Sequence, residues 1–138
     1  MKVLACVAGV VLVLVGVACG SDDGTAADPF GDRTWTLTGG TVDGVELVTL
    51  ADAPVTLTVA DGRASGTSAC NTYGADLTVD GSTVAVGMVV ATEMACMGEG
   101  VMELEGAYLG ALARATSVSS SAGVVELSGD GVVLRFGA

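Results

Sequence analysis

Along most of the chain apolar and polar residues alternate, and Asp-Gly pairs interrupt the alternation at intervals. "VTLTVADGRASGTSA" sets Val55, Leu57 and Val59 against threonines. "ADLTVDGSTVAV" does the same with Leu77 and Val79, then Val84 and Val86. "VVELSGDGVVLRF" repeats it with Val125 and Leu127, then Val132, Leu134 and Phe136. A period of two puts all the apolar side chains of a strand on one face. Asp43-Gly44, Asp61-Gly62, Asp80-Gly81 and Asp130-Gly131 tolerate positive φ, so each predicts a tight hairpin turn. A calcium site would need several oxygens at the fixed spacing of an EF-hand loop, and these pairs are read as turns instead.

The period changes once. In "EGVMELEGAYLGALARATS", residues 99–117, Leu104, Tyr108, Ala111, Leu112 and Ala115 recur at intervals of three and four, which is one face of a helix. Glu99, Glu103 and Glu105 fall near its start and Arg114 near its end, as the helix dipole prefers. Gly100, Gly106 and Gly110 each weaken it by up to about 1 kcal/mol relative to alanine, so packing must hold it. The sum predicts an α+β domain. It would be an antiparallel, strongly curved sheet of about seven to eight short strands packed on one main helix, open-barrel-like in form.

The beginning of the chain is of another kind. Lys2 is followed by an uncharged, mostly aliphatic run to Ala18, then Cys19 and a polar stretch. That run is short for a spanning helix and has the layout of an export signal. Small residues before Cys19 in "GVAC" are similar to a lipobox, at which bacterial lipoproteins are acylated and cut, although Gly16 stands where leucine is usual. The expected organisation is a lipoprotein signal peptide over 1–18, a flexible tether over 19–32 and one domain over 33–138. "GSDDGTAADPFGD" in the tether would act as a coil spanning roughly 20 Å.

Charge and missing residue types narrow the chemistry. After the cut, four arginines face sixteen acidic residues, a net charge of −12. Nucleic acid and anionic membrane surfaces are then unfavourable partners, so attachment would come from acyl chains on Cys19. Cys70 and Cys96 remain after Cys6 leaves and Cys19 is acylated, and in an exported protein such a pair reads as a structural disulfide. Their spacing is far from Cys-x-x-Cys. The chain has no histidine, which removes Ser-His and Cys-His nucleophiles and leaves too few ligands for the usual zinc sites. It has no phosphate or dinucleotide loop, and no pair of carboxylates stands out. No catalytic residue, cofactor or metal is expected.

Several stretches, taken in order, resemble the META domain (HslJ-like) family over about residues 33–138. They are "WTL" from Trp35, "SGTSACNTYGADLTVDG", "ATEMAC" from Ala91 to Cys96, "ELEGAYLGAL" and "LSGDGVVLRF". The matching positions mark Trp35, Asn71, Tyr73, Gly74, Thr92 and Met94 as structural residues. Ala69 departs from the glycine before the first cysteine, and Met97 from a common proline after the second. The resemblance implies an envelope or secreted protein, commonly a lipoprotein, tied to stress response and in some members to secretion or virulence. It implies no catalytic activity, and a fold with an antiparallel sheet wrapped on a helix. "SACNTYG" is then scaffolding, disulfide-linked to "ATEMAC", with Asn71 hydrogen-bonded to nearby backbone.

The function expected is that of a lipid-anchored envelope domain that acts by binding another envelope protein, in stress tolerance or assembly. The alternative is a carrier of a small apolar ligand or lipid in a cavity between sheet and helix. An internal cavity would favour the carrier, and a filled core with an exposed apolar patch the protein partner.

Overall fold

The computed structural model of the protein describes residues 27–138. Cys19, the signal segment 1–18 and residues 19–26 of the tether lie outside the described residues. Ten strands and one helix follow in order: β1 Thr34–Val42, β2 Val45–Glu46, β3 Thr56–Ala60, β4 Arg63–Thr67, β5 Thr72–Asp80, β6 Thr83–Val86, β7 Val90–Ala91, α1 Val101–Ala113, β8 Ala115–Ser121, β9 Val124–Gly129 and β10 Val132–Gly137.

Eight of these strands form a closed antiparallel barrel in the order β1-β3-β4-β5-β6-β8-β9-β10, with β10 pairing back onto β1. β2 and β7 are additions, on β1 and β5 respectively. The expected α+β architecture, an open curved sheet packed on one main helix, is therefore corrected to a mostly β, closed barrel. Its closure is the β1–β10 ladder, which runs from Thr36↔Gly137 to Val42↔Val132 with a bulge between Leu37 and Gly39. No hairpin signal announces this pairing, because it joins opposite ends of the domain. It demands close approach, since a Cβ on Gly40 would collide with the Val133 carbonyl oxygen. Closure leaves neither β1 nor β10 with an open edge. The thinnest seam is β6–β8, held by Thr83↔Ser117 and by Val118 N–H donating to Ser82 O at 2.8 Å.

The two-residue alternation fills the interior. Trp35 and Leu37, Leu57, Ala64, Tyr73 and Leu77, Val84, Val118, Val125 and Leu127, and Val132, Leu134 and Phe136 are all buried in one cluster. Asp43-Gly44 and Asp61-Gly62 form turns with positive φ at both residues. The β5–β6 loop instead falls on Gly81-Ser82, because Asp80 still pairs with Thr83. A fifth turn, Ala122-Gly123 between β8 and β9, takes the same doubly positive conformation with alanine in first place.

The helix is shorter than the 99–117 expected, because Ala115 already belongs to β8. It lies over one end of the barrel rather than beneath a sheet. Glu105 bonds to Ser68 and Asn71 between β4 and β5, and Arg114 bonds to Asp43 just past β1. Leu104 and Ala107 share a cleft with Val42 and Leu47. The opposite end is the β3–β4, β5–β6 and β8–β9 turns, and the first described residues lie there. Ala27–Pro29 sit beside Asp61 and Gly81, and Phe30 beside Ser121 and Gly123. The tether does not continue to Asp32 as expected, since Phe30 is buried in the core and its carbonyl accepts Trp35 Nε1–H at 2.8 Å.

Two kinds of glycine separate here. A Cβ on Gly66 would strike the Thr56 carbonyl, whereas Gly106 and Gly110 on the exposed face of α1 have open space around them. Gly106→Ala and Gly110→Ala are expected to stabilise by roughly 0.5–1 kcal/mol each. Gly66→Ala is expected to destabilise by about 2 kcal/mol or more, as overpacking against backbone does. Urea melts of the three variants and the parent check both signs.

Candidate functional site

The segment 68–71 joins β4 to β5 outside their ladder and must satisfy its backbone some other way. Ser68 N–H donates to Asn71 O at 2.7 Å, which closes a tight turn. Ala69 within it has φ 82°, in the left-handed region. Next in sequence, Cys70 is disulfide-bonded to Cys96, with Cα atoms 5.9 Å apart. That bond lays the segment 92–96 across the turn. Thr92 N–H donates to Thr72 O, and Thr72 N–H to Thr92 Oγ1.

Asn71 is buried at the centre of this arrangement. Its Oδ1 accepts from Met94 N–H at 2.7 Å and from Thr92 Oγ1 at 2.9 Å. Its Nδ2 donates to Met94 O at 3.1 Å and to Glu105 Oε1 at 2.7 Å. An amide has two donors and two acceptor sites, and all four are used. Glu105 Oε2 accepts in addition from Asn71 N–H at 2.8 Å and from Ser68 Oγ at 2.7 Å. Burial alone pushes the Glu105 pKa up. The bonds from the Asn71 amide, the Ser68 hydroxyl and the Asn71 and Cys70 backbone outweigh it and hold the carboxyl below its ordinary range. Asn71 and Glu105 thus join three segments: the turn, the 92–96 strap and α1.

A second polar contact lies deeper. Tyr108 of α1 meets Tyr73 of β5 edge to face, with ring centroids 5.4 Å apart, and their hydroxyls are 2.6 Å apart. Tyr73 OH donates to Thr56 O at 2.8 Å, so Tyr108 is the donor between the two hydroxyls. Burial raises both phenols well above their ordinary pKa, so they stay neutral. Among the described residues no buried side-chain nitrogen or oxygen lacks a partner. Both Glu105 oxygens are engaged, Oε1 by the Asn71 side-chain amide and Oε2 by Asn71 N–H and Ser68 Oγ.

The residues singled out from sequence have distinct fates. Asn71, Thr92 and the Met94 backbone come together with Cys70 and Cys96. The Met94 side chain does not take part and is 60% exposed. Gly74 is buried on β5 against the Arg63 guanidinium, and Trp35 closes the other end beneath Arg33, which lies 5.4 Å from its ring centroid. Glu105, expected near the helix start as a partner of the dipole, is instead buried. Its place between Leu104 and Tyr108 on the 101-104-105-108 face was the signal that it points inward.

Outside the hub, apolar groups stand in solvent. Val45 and Val48 are 69% and 71% exposed, and Met97 is 98% exposed. Between the 45–50 segment and α1 lies a cleft of about 460 Å³ lined by Val42, Leu47, Val48, Leu50, Leu104 and Ala107. Leu50 also lines a second cleft, of about 430 Å³, that reaches Ala69, Cys96 and Val101. The two clefts adjoin at Leu50 and are taken together as the groove of the helix-capped end. Its acidic residues are Glu46 and Glu103 in the first cleft and Asp52 and Glu99 in the second.

Two outcomes follow from the hub. Asn71→Ala strands the Met94 backbone and a Glu105 oxygen, and is expected to cost about 1–3 kcal/mol. Because the folded carboxyl of Glu105 titrates below its ordinary 4.5, its contribution is complete above that pH and is lost as pH falls through the lowered folded value. Glu105→Gln is therefore expected to destabilise at neutral pH, with the gap to the parent closing as pH is lowered below 4.5. Denaturant melts across pH, with the disulfide intact, measure both. Separately, Ala69→Gly relieves a left-handed alanine and is expected to stabilise by about 0.5–1 kcal/mol, read from the same melts.

The META domain model matches residues 28–138, so the matched region begins beside the buried Phe30. An NMR structure of a protein from Burkholderia xenovorans is similar, with 31% identity, a TM-score of 0.64, and coverage of 86% of this chain and 94% of that one. A crystal structure of a DUF4847 family protein from Bacteroides vulgatus shares the fold at 18% identity and TM-score 0.53, covering 78% of this chain and 93% of that one. No curated protein matches. With most of the chain matched, and with the hub built from the residues that carried the resemblance, the chain belongs to the META domain family.

Proposed function

We propose that this is a lipid-anchored cell-envelope domain, non-catalytic, that serves envelope stress tolerance or assembly by binding a protein partner. The observation that carries the reading is the open apolar groove at the helix-capped end. Its floor is hydrophobic while the interior of the barrel is occupied by its own side chains, with Leu57, Leu127, Leu134, Phe136 and Tyr108 showing no exposed surface. Unpaired apolar surface of this kind marks interaction sites. A carrier would hold its ligand in an enclosed cavity. Here the apolar space is a surface groove, which favours a macromolecular partner over a small ligand.

Geometry supports the anchoring as well. The first described residues enter at the opposite end of the barrel from the groove. A chain tethered through Cys19 would then turn the groove away from the bilayer. The disulfide agrees with an oxidising compartment. Intact-mass and peptide mass spectrometry of the membrane fraction is expected to find a mature N-terminus at Cys19 bearing acyl chains. An unmodified soluble protein with a different first residue would overturn the anchoring.

A further inference from the structure

The groove has a chemical bias that limits what can occupy it. Its floor is apolar, yet its charged lining residues are all acidic: Glu46, Glu103, Asp52 and Glu99. The four arginines of the domain are committed elsewhere. Arg63 pairs with Asp76, Arg114 with Asp43 and Arg135 with Glu126, and Arg33 lies over Trp35. No cation among the described residues offsets the carboxylates of the groove. Met97 stands fully exposed beside Cys96 at one end of it, a flexible apolar side chain that adapts to varied surfaces.

We propose that the groove binds a basic amphipathic peptide segment of a protein partner, with its apolar side chains on Leu50 and Leu104 and its Lys or Arg side chains along Glu46, Asp52, Glu99 and Glu103. This rests on the protein-binding reading above and adds the chemistry of the partner. Charge complementarity at a rim chooses the partner and speeds encounter, while the apolar floor supplies the contact. A second copy of the chain would bring the same carboxylates against these, and like charges facing each other are unfavourable. A bilayer surface is also disfavoured as occupant, because anionic headgroups would meet an acidic rim.

The test is an NMR titration of the full-length protein with three synthetic peptides of one helical apolar pattern. Their polar positions are Lys, Gln or Glu. The Lys peptide is expected to shift Val48, Leu50 and Leu104, with affinity falling as salt is raised. The double variant Glu46→Lys, Glu103→Lys changes two exposed side chains and is expected to weaken that binding by about tenfold or more. Equal binding of the Gln peptide in the groove would overturn the charge assignment and leave the protein-binding reading standing. Salt-sensitive shifts scattered over the acidic surface, with none in the groove, would overturn the site. Failure of all three peptides, with the groove instead shifted by a fatty acid such as dodecanoate, would overturn the protein-binding reading itself in favour of the carrier.

Discussion

The amide of Asn71 and the carboxylate of Glu105 hold together three segments, of which the helix can join no ladder. A helix has spent its backbone groups internally, so α1 can be fixed to a barrel only by side chains. Apolar packing of Leu104, Tyr108 and Leu112 supplies contact but little direction. The 2.7 Å bonds from Asn71 Nδ2 and Ser68 Oγ to the two Glu105 oxygens fix where along the helix that contact is made. A buried carboxylate is unfavourable unless its lone pairs are occupied, which is why an interior Glu appears only where several donors converge. Once those donors are in place, the same low dielectric that penalised the charge strengthens its bonds.

Placement of the groove depends on this hub. One wall is the first half of α1, and the other is the 45–53 segment. The floor extends to Ala69 and Cys96, which belong to the turn and the strap that Asn71 joins. Displacing Glu105 would move the helix wall relative to both. The disulfide contributes differently. It closes a loop with a sequence separation of 26, and its chain-entropy contribution is on the order of 3.5 kcal/mol at most. It limits how far the strap can depart from the turn, while Asn71 sets the register between them through both the N–H and the C=O of Met94.

Local features of this fold were legible in the sequence, and those that depend on distant partners were not. Asp43-Gly44 and Asp61-Gly62 announce their turns because the required positive φ is written in the residues themselves. Ala122-Gly123 makes the same turn without such a signal, since alanine has no preference for that conformation and tertiary pairing imposes it. Closure of the barrel was hidden for a related reason: the alternation of Trp35 and Leu37, or of Leu134 and Phe136, gives each strand a face but not a neighbour. The disulfide was accessible by counting cysteines. Asn71 was accessible through the segments that resemble the family. Glu105 was obscured because acids early in a helix have an ordinary explanation in the dipole, and that explanation fits Glu103, which is exposed.

Acidity and fold stability are separable in this chain. The partnered carboxylates are few: Glu105 in the hub, Asp76 with Arg63, Glu126 with Arg135, and Asp43, which joins Arg114 at the end of α1 to the first hairpin through two hydrogen bonds of 2.7 and 3.1 Å. The remaining excess is spread over turns and helix surface, where it adds repulsion that the fold must tolerate. Along the groove that repulsion is paired with exposed apolar surface, a combination that works against self-association although the surface is sticky by composition. Under the anchoring proposed above, such protection would matter, because tethering raises the local concentration of a domain relative to other copies. In the binding proposed above, the acidic rim of the apolar groove would keep like copies apart and leave the surface to a partner of the opposite sign.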